Sequence, residues 1–235
     1  MNPTGTLRVA GAIPAYQAAP SVGVVARGAL AELADVLVVD DGSTDGTAEE
    51  ARRAGARVHS FPQNRGKGAA LAFAFADLFG RGFDGVATLD ADGQHLPEEI
   101  PKLLAAAKIG GDLVLGVRDH LFGDMSAVRR ASNRLSSRAI SFAAGQPLAD
   151  IQTGFRYYSR RLIEDVGFPE ARFEAESAVV VRAARRGFRV ITVPVRLGFA
   201  DGRTTSHYRP LMDSLRIAGA VTRARLEMLG WARSS

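Results

Sequence analysis

The chain has 235 residues, 46% apolar and 23% charged, with a formal charge of +5 and no cysteine. That balance excludes a disordered chain, a disulfide scaffold and thiolate metal sites, and no apolar run approaches the roughly 20 residues that span a bilayer. Positive charge is almost all arginine, with lysine only at Lys67, Lys102 and Lys108. Arginine suits bidentate contact with phosphate, in nucleic acid, anionic lipid or a phosphorylated substrate.

In chain order, Leu7 to Ile13 reads as a strand and Pro20 to Leu33 as a helix. Val36-Leu37-Val38-Val39 is a β-branched and aliphatic run of the kind buried on both faces of a sheet. A helix from Ala48 to Ala54 and a short strand from Arg57 to Ser60 follow, then a well-buried helix from Gly68 to Phe79. Gly85-Val86-Ala87 begins the next strand, Pro97 is placed to open a helix running to Lys108, and Asp112 to Val117 is a further strand. After Arg118 the rhythm breaks into a basic helix from about Ala127 to Ala143 and a loop to Arg160. A helix from Glu174 to Arg186, a strand from Arg189 to Val195 and a final helix from Leu211 to Trp231 complete the pattern. Alternating strands and helices predict one doubly wound, Rossmann-like α/β sheet, mostly parallel, over residues 1–209, with the helical tail at 210–235 as an appendage.

Chemistry gathers at strand ends. The run through Val86 stops in Asp90-Ala91-Asp92-Gly93-Gln94-His95. If the extended geometry holds, Asp90 and Asp92 project the same way, and two carboxylates so close call for a shared proton or a cation. Oxygen ligands of this kind, with Gln94 and His95 beyond, suit Mg²⁺ or Mn²⁺; the plainer alternative is a solvated acidic turn. The Val36 strand likewise ends in Asp40-Asp41-Gly42-Ser43-Thr44-Asp45-Gly46-Thr47, with Ser43 or Asp45 placed to cap the helix near Thr47. Ligands in open α/β sheets sit at such carboxyl ends, and the two together would surround one crevice with acids.

These segments, with Ile13-Pro14-Ala15-Tyr16-Gln17, Asn64-Arg65-Gly66-Lys67-Gly68, Gln152-Thr153-Gly154-Phe155-Arg156 and Phe173-Glu174-Ala175-Glu176, resemble a family 2 glycosyltransferase of the GT-A fold. The resemblance is to the dolichyl- and polyprenyl-phosphate sugar transferases, of the dolichyl-phosphate mannose synthase kind, and runs from about Leu7 to about Asp213. It implies that Pro14, Ala15, Tyr16, Asp40 and Asp41 hold the base and ribose of a nucleotide sugar. It also implies that Asp90, Asp92 and Gln94 hold the metal, and through it the diphosphate. Lys67 at a helix start, and Arg203 or His207 in the late basic loop, are candidates for the diphosphate. Arg118 and Arg130 are placed to face an acceptor phosphate, beside Arg129 and Arg134. The family often reads Pro-Ala-Tyr-Asn-Glu where this chain has Gln17 and Ala18, which leaves a UDP or a GDP donor open.

The implied activity is inverting hexose transfer from a nucleotide sugar of the GDP-mannose or UDP-glucose type to a polyprenyl or dolichyl phosphate, without nucleic acid. With a hydroxyl acceptor instead, Glu176 or Glu174 would be the general base. A third reading is an inactive fold that binds acidic ligands. The N-terminus shows no secretory leader, so a cytoplasmic protein is expected. Its final basic helix, with Leu211, Leu215, Ala218 and Thr222 on one stripe, meets the membrane interface, the protein core or a dimer partner.

Overall fold

The computed structural model describes residues 7–118, 140–145, 153–198 and 210–228. Strands β1 (Val9–Ala15), β2 (Val36–Asp40), β3 (Arg57–Ser60), β4 (Gly85–Thr88), β5 (Leu113–Arg118), β6 (Arg156–Ser159) and β7 (Val190–Val195) form one seven-stranded sheet, in the order β3-β2-β1-β4-β6-β5-β7. Around it lie α1 (Ala19–Glu32), α2 (Thr47–Arg53), α3 (Lys67–Gly80), α4 (Ile100–Lys108, entered through a 3-10 turn at Pro97–Glu99), α5 (Arg160–Val166), α6 (Glu174–Arg185) and α7 (Pro210–Met228).

Both faces of the central strands are covered, which is why β1 and β2 read as unbroken apolar runs. Ala10, Ala12, Leu37 and Val39 enter one core with Leu71, Phe75 and Leu78 of α3 and Val179, Val180 and Ala183 of α6. Val9, Ile13, Val36 and Val38 enter the other, with Val22, Val25 and Ala26 of α1 and Ile100 and Leu103 of α4. Each aliphatic side chain withdrawn from water in this way contributes roughly 1.5–3 kcal/mol.

Where a loop to Arg160 is expected, the chain inserts β6, antiparallel to both β4 and β5, and then α5. Arg156-Tyr157-Tyr158-Ser159 hides its strand character because both faces are buried: Tyr157 lies in one core and Tyr158 in the other, so no alternation shows. The Ser159 hydroxyl caps α5 by accepting from the Leu162 N–H at 3.3 Å. The remaining pairs, β1 with β2 and β4, β2 with β3, and β5 with β7, are parallel as expected.

The tail helix α7 packs on α6. Its buried face is Ile217, Ala220, Val221 and Ala224, while Ala218 and Thr222 of the expected stripe are exposed. Apolar residues at i, i+3, i+4 and i+7 from Ile217 fit the core, and that set lies on a different face from the one through Ala218 and Thr222. No helix among the described residues is long and apolar enough to cross a membrane.

Candidate active site

The chain runs outward from β1 to β2 and β3, then returns to place β4 on the other side of β1. That reversal opens a crevice at the carboxyl ends of β1, β2 and β4, where α/β sheets hold their ligands. Ala15 pairs with Asp40 in register, so Tyr16 follows β1 beside the acids that end β2. The Ser21 hydroxyl of α1 donates to the Ala91 carbonyl at 2.6 Å and fastens the turn after β4 to the same corner.

Asp90 and Asp92 do not project from one extended strand, as the spacing suggests. Regular pairing stops at Thr88, and residues 91 and 92 form a turn in which the Gln94 N–H donates to Asp92 Oδ1 at 3.0 Å. Asp90 turns inward and receives the Lys67 ammonium at 2.6 Å. The same ammonium lies 2.7 Å from Glu176 Oε2, so Lys67 joins the turn after β4 to the start of α6. Burial opposes both charges. For Lys67, Asp90 and Glu176 outweigh burial and hold its pKa above the ordinary value. For Asp90, Lys67 and then His95 outweigh burial and hold the carboxyl well below the usual range. Asp92 moves the other way, pushed up by burial first and by the Asp90 charge next.

Three residues from two segments make room for this cluster and hold it. Gly154 lies so close that a Cβ there would sit 2.3 Å from Asp90 Oδ2, and its carbonyl accepts from the Thr88 hydroxyl at 2.8 Å. Gly68 meets the Glu170 carbonyl, which a Cβ would approach to 2.3 Å, and this contact seats the α3 start that carries Lys67. Arg156, fully buried, donates to the Thr153 carbonyl at 2.7 Å and the Glu176 carbonyl at 2.6 Å, tying β6 to α6. Glu176 Oε1 and Glu174 Oε2 are buried without a hydrogen-bond partner among the described residues. His95 is buried beside Asp90: its Nδ1 lies 3.3 Å from the Asp90 backbone nitrogen and 3.9 Å from Asp90 Oδ2, and its ring stacks on Phe155.

The β2 end is built differently. Asp40 Oδ1 accepts from the Ser43 N–H at 3.0 Å. Asp41, expected to face ribose or base, instead gives both oxygens to the chain, accepting from the Arg65 N–H at 2.6 Å and the Gly66 N–H at 2.8 Å. Burial raises its pKa even against those bonds. Asp45 caps two helix starts at once: Oδ1 accepts from the Thr47 N–H at 3.1 Å, and Oδ2 from the Ala19 N–H at 3.1 Å. The Gln17, Ala18 and Ala19 N–H groups thus all donate to side chains of this loop, namely Ser43, Thr47 and Asp45.

Lys67 joins Asp90 and Glu176, with Asp92 two residues beyond Asp90, while Tyr16 and Asp40 stand at the neighbouring ends of β1 and β2. Gln94 follows Asp92 after Gly93, while Pro14 and Ala15 supply the β1 wall. Arg118 ends β5, with its side chain outside the described residues, where Arg130, Arg203 and His207 also fall. Gly154, Gly68 and Arg156 escape a reading of the sequence for chemistry because they act by space and backbone contact; their signal is only their place in the Thr153–Arg156 and Asn64–Gly68 segments.

A doubly wound sheet with acids from two strand ends at its switch point is the architecture of a nucleotide-dependent α/β enzyme. The family model described as "Glycosyl transferase family 2" matches residues 12–167, and the chain belongs to that family. It is 35% identical over 182 residues to "Glycosyltransferase AglJ" of Haloferax volcanii, a match covering 77% of this chain and 59% of that protein's length. It is 31% identical over 239 residues to "Undecaprenyl-phosphate mannosyltransferase" of Micrococcus luteus, covering 96% of this chain and 94% of that one. Glucosyl-3-phosphoglycerate synthase from Mycobacterium tuberculosis, solved with Mn²⁺, UDP and phosphoglyceric acid, superposes with a TM-score of 0.72 at 20% identity, over 97% of this chain and 80% of that chain. That likeness fixes the fold as GT-A.

Proposed function

We propose that the protein is an inverting, metal-dependent hexosyltransferase that moves a sugar from a nucleotide donor of the GDP-mannose or UDP-glucose type to a polyprenyl phosphate. The observation that carries this reading is the seating of Asp90 and Asp92 at the end of β4, across the switch point from Tyr16 and Asp40, with Asp90 anchored by Lys67. The name of the Micrococcus luteus relative supports the acceptor, and the Mn²⁺ and UDP in the structural neighbour support the donor and the ion.

In this reading Pro14, Ala15, Tyr16 and Asp40 receive the nucleoside, and Arg203 and His207 the diphosphate. Asp90, Asp92 and Gln94 hold Mg²⁺ or Mn²⁺. The residues fit such an ion, because the Asp90 charge and burial together raise the Asp92 pKa, a conflict that a cation relieves. Among the described residues no group of three His, Asp or Glu side chains could hold a metal ion alone, so water and substrate phosphate would have to complete the shell. When bound, the ion stabilises the charge that develops on the departing nucleoside diphosphate.

The chain's own part is to position. Lys67 fixes Asp90, Gly154 leaves it room, and Arg118 and Arg130 receive the acceptor phosphate by charge-assisted bonds. A phosphate acceptor attacks as an anion and needs no base, which accords with a Glu176 whose Oε2 is already engaged by Lys67. Arg216 and Arg223 of α7 are exposed beside the cavity they line with Glu170 and Glu174, and a peripheral contact of this basic helix with the anionic cytoplasmic face of a membrane belongs to the same proposal.

The test is thermal stability against a panel of nucleotide sugars with Mn²⁺, Mg²⁺ or EDTA, followed by transfer to polyprenyl phosphate. A metal-dependent rise with one nucleotide, then a glycolipid product, is expected, since a ligand bound only to the folded state stabilises it. Asp92→Asn is expected to fold normally and lose turnover by orders of magnitude; near-normal activity would sink the metal assignment.

A further inference from the structure

Gln17 is, among the described residues, the one non-glycine residue with positive φ, at 51°. L side chains rarely adopt that conformation, and it persists only where the surroundings hold it. Here the surroundings are Ser43 and Thr44. Gln17 Oε1 accepts from the Thr44 N–H at 3.0 Å, Nε2 donates to Thr44 Oγ1 at 3.1 Å, and the Gln17 N–H donates to Ser43 Oγ at 2.9 Å. Ser43 passes the connection on, its N–H donating to Asp40 Oδ1 at 3.0 Å. Thr44 is exposed and Gln17 partly so, which means that the amide is not paired merely because it is buried.

We infer that Gln17 is a positioning residue for the donor nucleoside: its amide latches the Ser43–Thr44 turn to the end of β1 and presets the wall on which base and ribose lie. The inference rests on the nucleotide-sugar reading above. Oxygen and nitrogen of the amide are both engaged by Thr44, so Gln17 acts through the turn, and through Asp40, rather than by reading the base. A turn held in its bound shape before the ligand arrives costs less to order on binding. The sequence shows Gln17 and Ala18 only as a departure from the family pattern; the left-handed backbone and the latch give that departure a role.

The test is calorimetric titration of UDP and GDP, with Mn²⁺, into the wild type and into Gln17→Ala, Gln17→Asn and Gln17→Gly, with steady-state kinetics beside it. Alanine keeps the strained backbone and removes the latch. Glycine removes both, and asparagine tolerates the backbone but is one methylene short of Thr44. All three are expected to weaken the nucleoside diphosphate that the wild type binds by about tenfold, with donor KM rising by a similar factor and kcat unchanged. Glycine is expected to melt above alanine. Wild-type affinity in all three, whatever their melting temperatures, would overturn the latch and leave Gln17 a role in the fold alone. A wild type that binds neither nucleotide would overturn the nucleotide-sugar reading and the inference with it, so the wild-type titration tells the two failures apart.

Discussion

The two sides of the crevice are held by different forces. At the β2 end, a single loop of consecutive residues, 43–47, gives side-chain oxygens to backbone N–H groups of residues 17–19, and Asp45 alone serves two helix starts. At the β4 end, Lys67, Asp90 and Glu176 come from three separate segments and are held by charge in a largely buried cluster, with Gly154 of a fourth leaving the room. The first side is redundant, and losing one bond leaves its neighbours in place. The second is interdependent, because removing one ion leaves its partner unpaired, and that asymmetry is what makes buried charge costly.

The sharpest way to break the comparison is Gly154→Ala. Its Cβ would occupy the place of the Asp90 carboxylate, and a displacement of that order is expected to cost about a hundredfold in turnover with the fold retained, read by steady-state kinetics and circular dichroism. Next is Lys67→Met, which leaves Asp90 and Glu176 facing each other without their shared cation. Denaturant unfolding is expected to show a loss of roughly 3–5 kcal/mol, the usual cost of breaking a buried pair, and Lys67→Arg should recover part of it.

On the β2 side the effects are smaller. Asp45→Ala removes the cap of α2 and the bond to the start of α1, and about 1–2 kcal/mol is expected by the same unfolding measurement. An equal or larger loss there than at Lys67 would reverse the contrast. The smallest effect is in pH. Burial raises the Asp45 pKa, but bonds from the Thr47 hydroxyl and from the Ala19 and Thr47 N–H groups outweigh it, and the net shift is below the ordinary 3.8. A carboxyl lowered by folding contributes stability above its unfolded pKa and loses it as pH falls through the folded one. The melting-temperature gap between wild type and Asp45→Asn should therefore be constant well above pH 3.8 and narrow as the pH drops below it.

Much of this was legible in the chain. The runs around Val38 and Val86, their acidic ends and the helices between them announce a doubly wound sheet, because a strand buried on both faces must be apolar throughout. The same segments put Tyr16, Asp40, Asp90 and Asp92 at strand ends on one side of the sheet, which is the basis of the proposed site. Local chemistry also offered Ser43 or Asp45 as the cap near Thr47, and the structure gives that bond to Asp45. What the local pattern misread was whatever depends on a distant neighbour. β6 has no alternation because aromatic side chains fill both cores, and Asp41 binds the Arg65–Gly66 turn although its residue type suits a ribose equally well.

Periodicity and residue chemistry are carried by adjacent residues, so the sequence by itself determined the doubly wound character of the sheet and the acidic ends of β2 and β4, but not β6 and α5. The pairing of Lys67 with both Asp90 and Glu176, the space at Gly154 and the choice of Ile217, Ala220, Val221 and Ala224 as the buried face of α7 were decided only by tertiary structure. Each depends on which surface meets which, and charge and volume become specific only once both partners are in place.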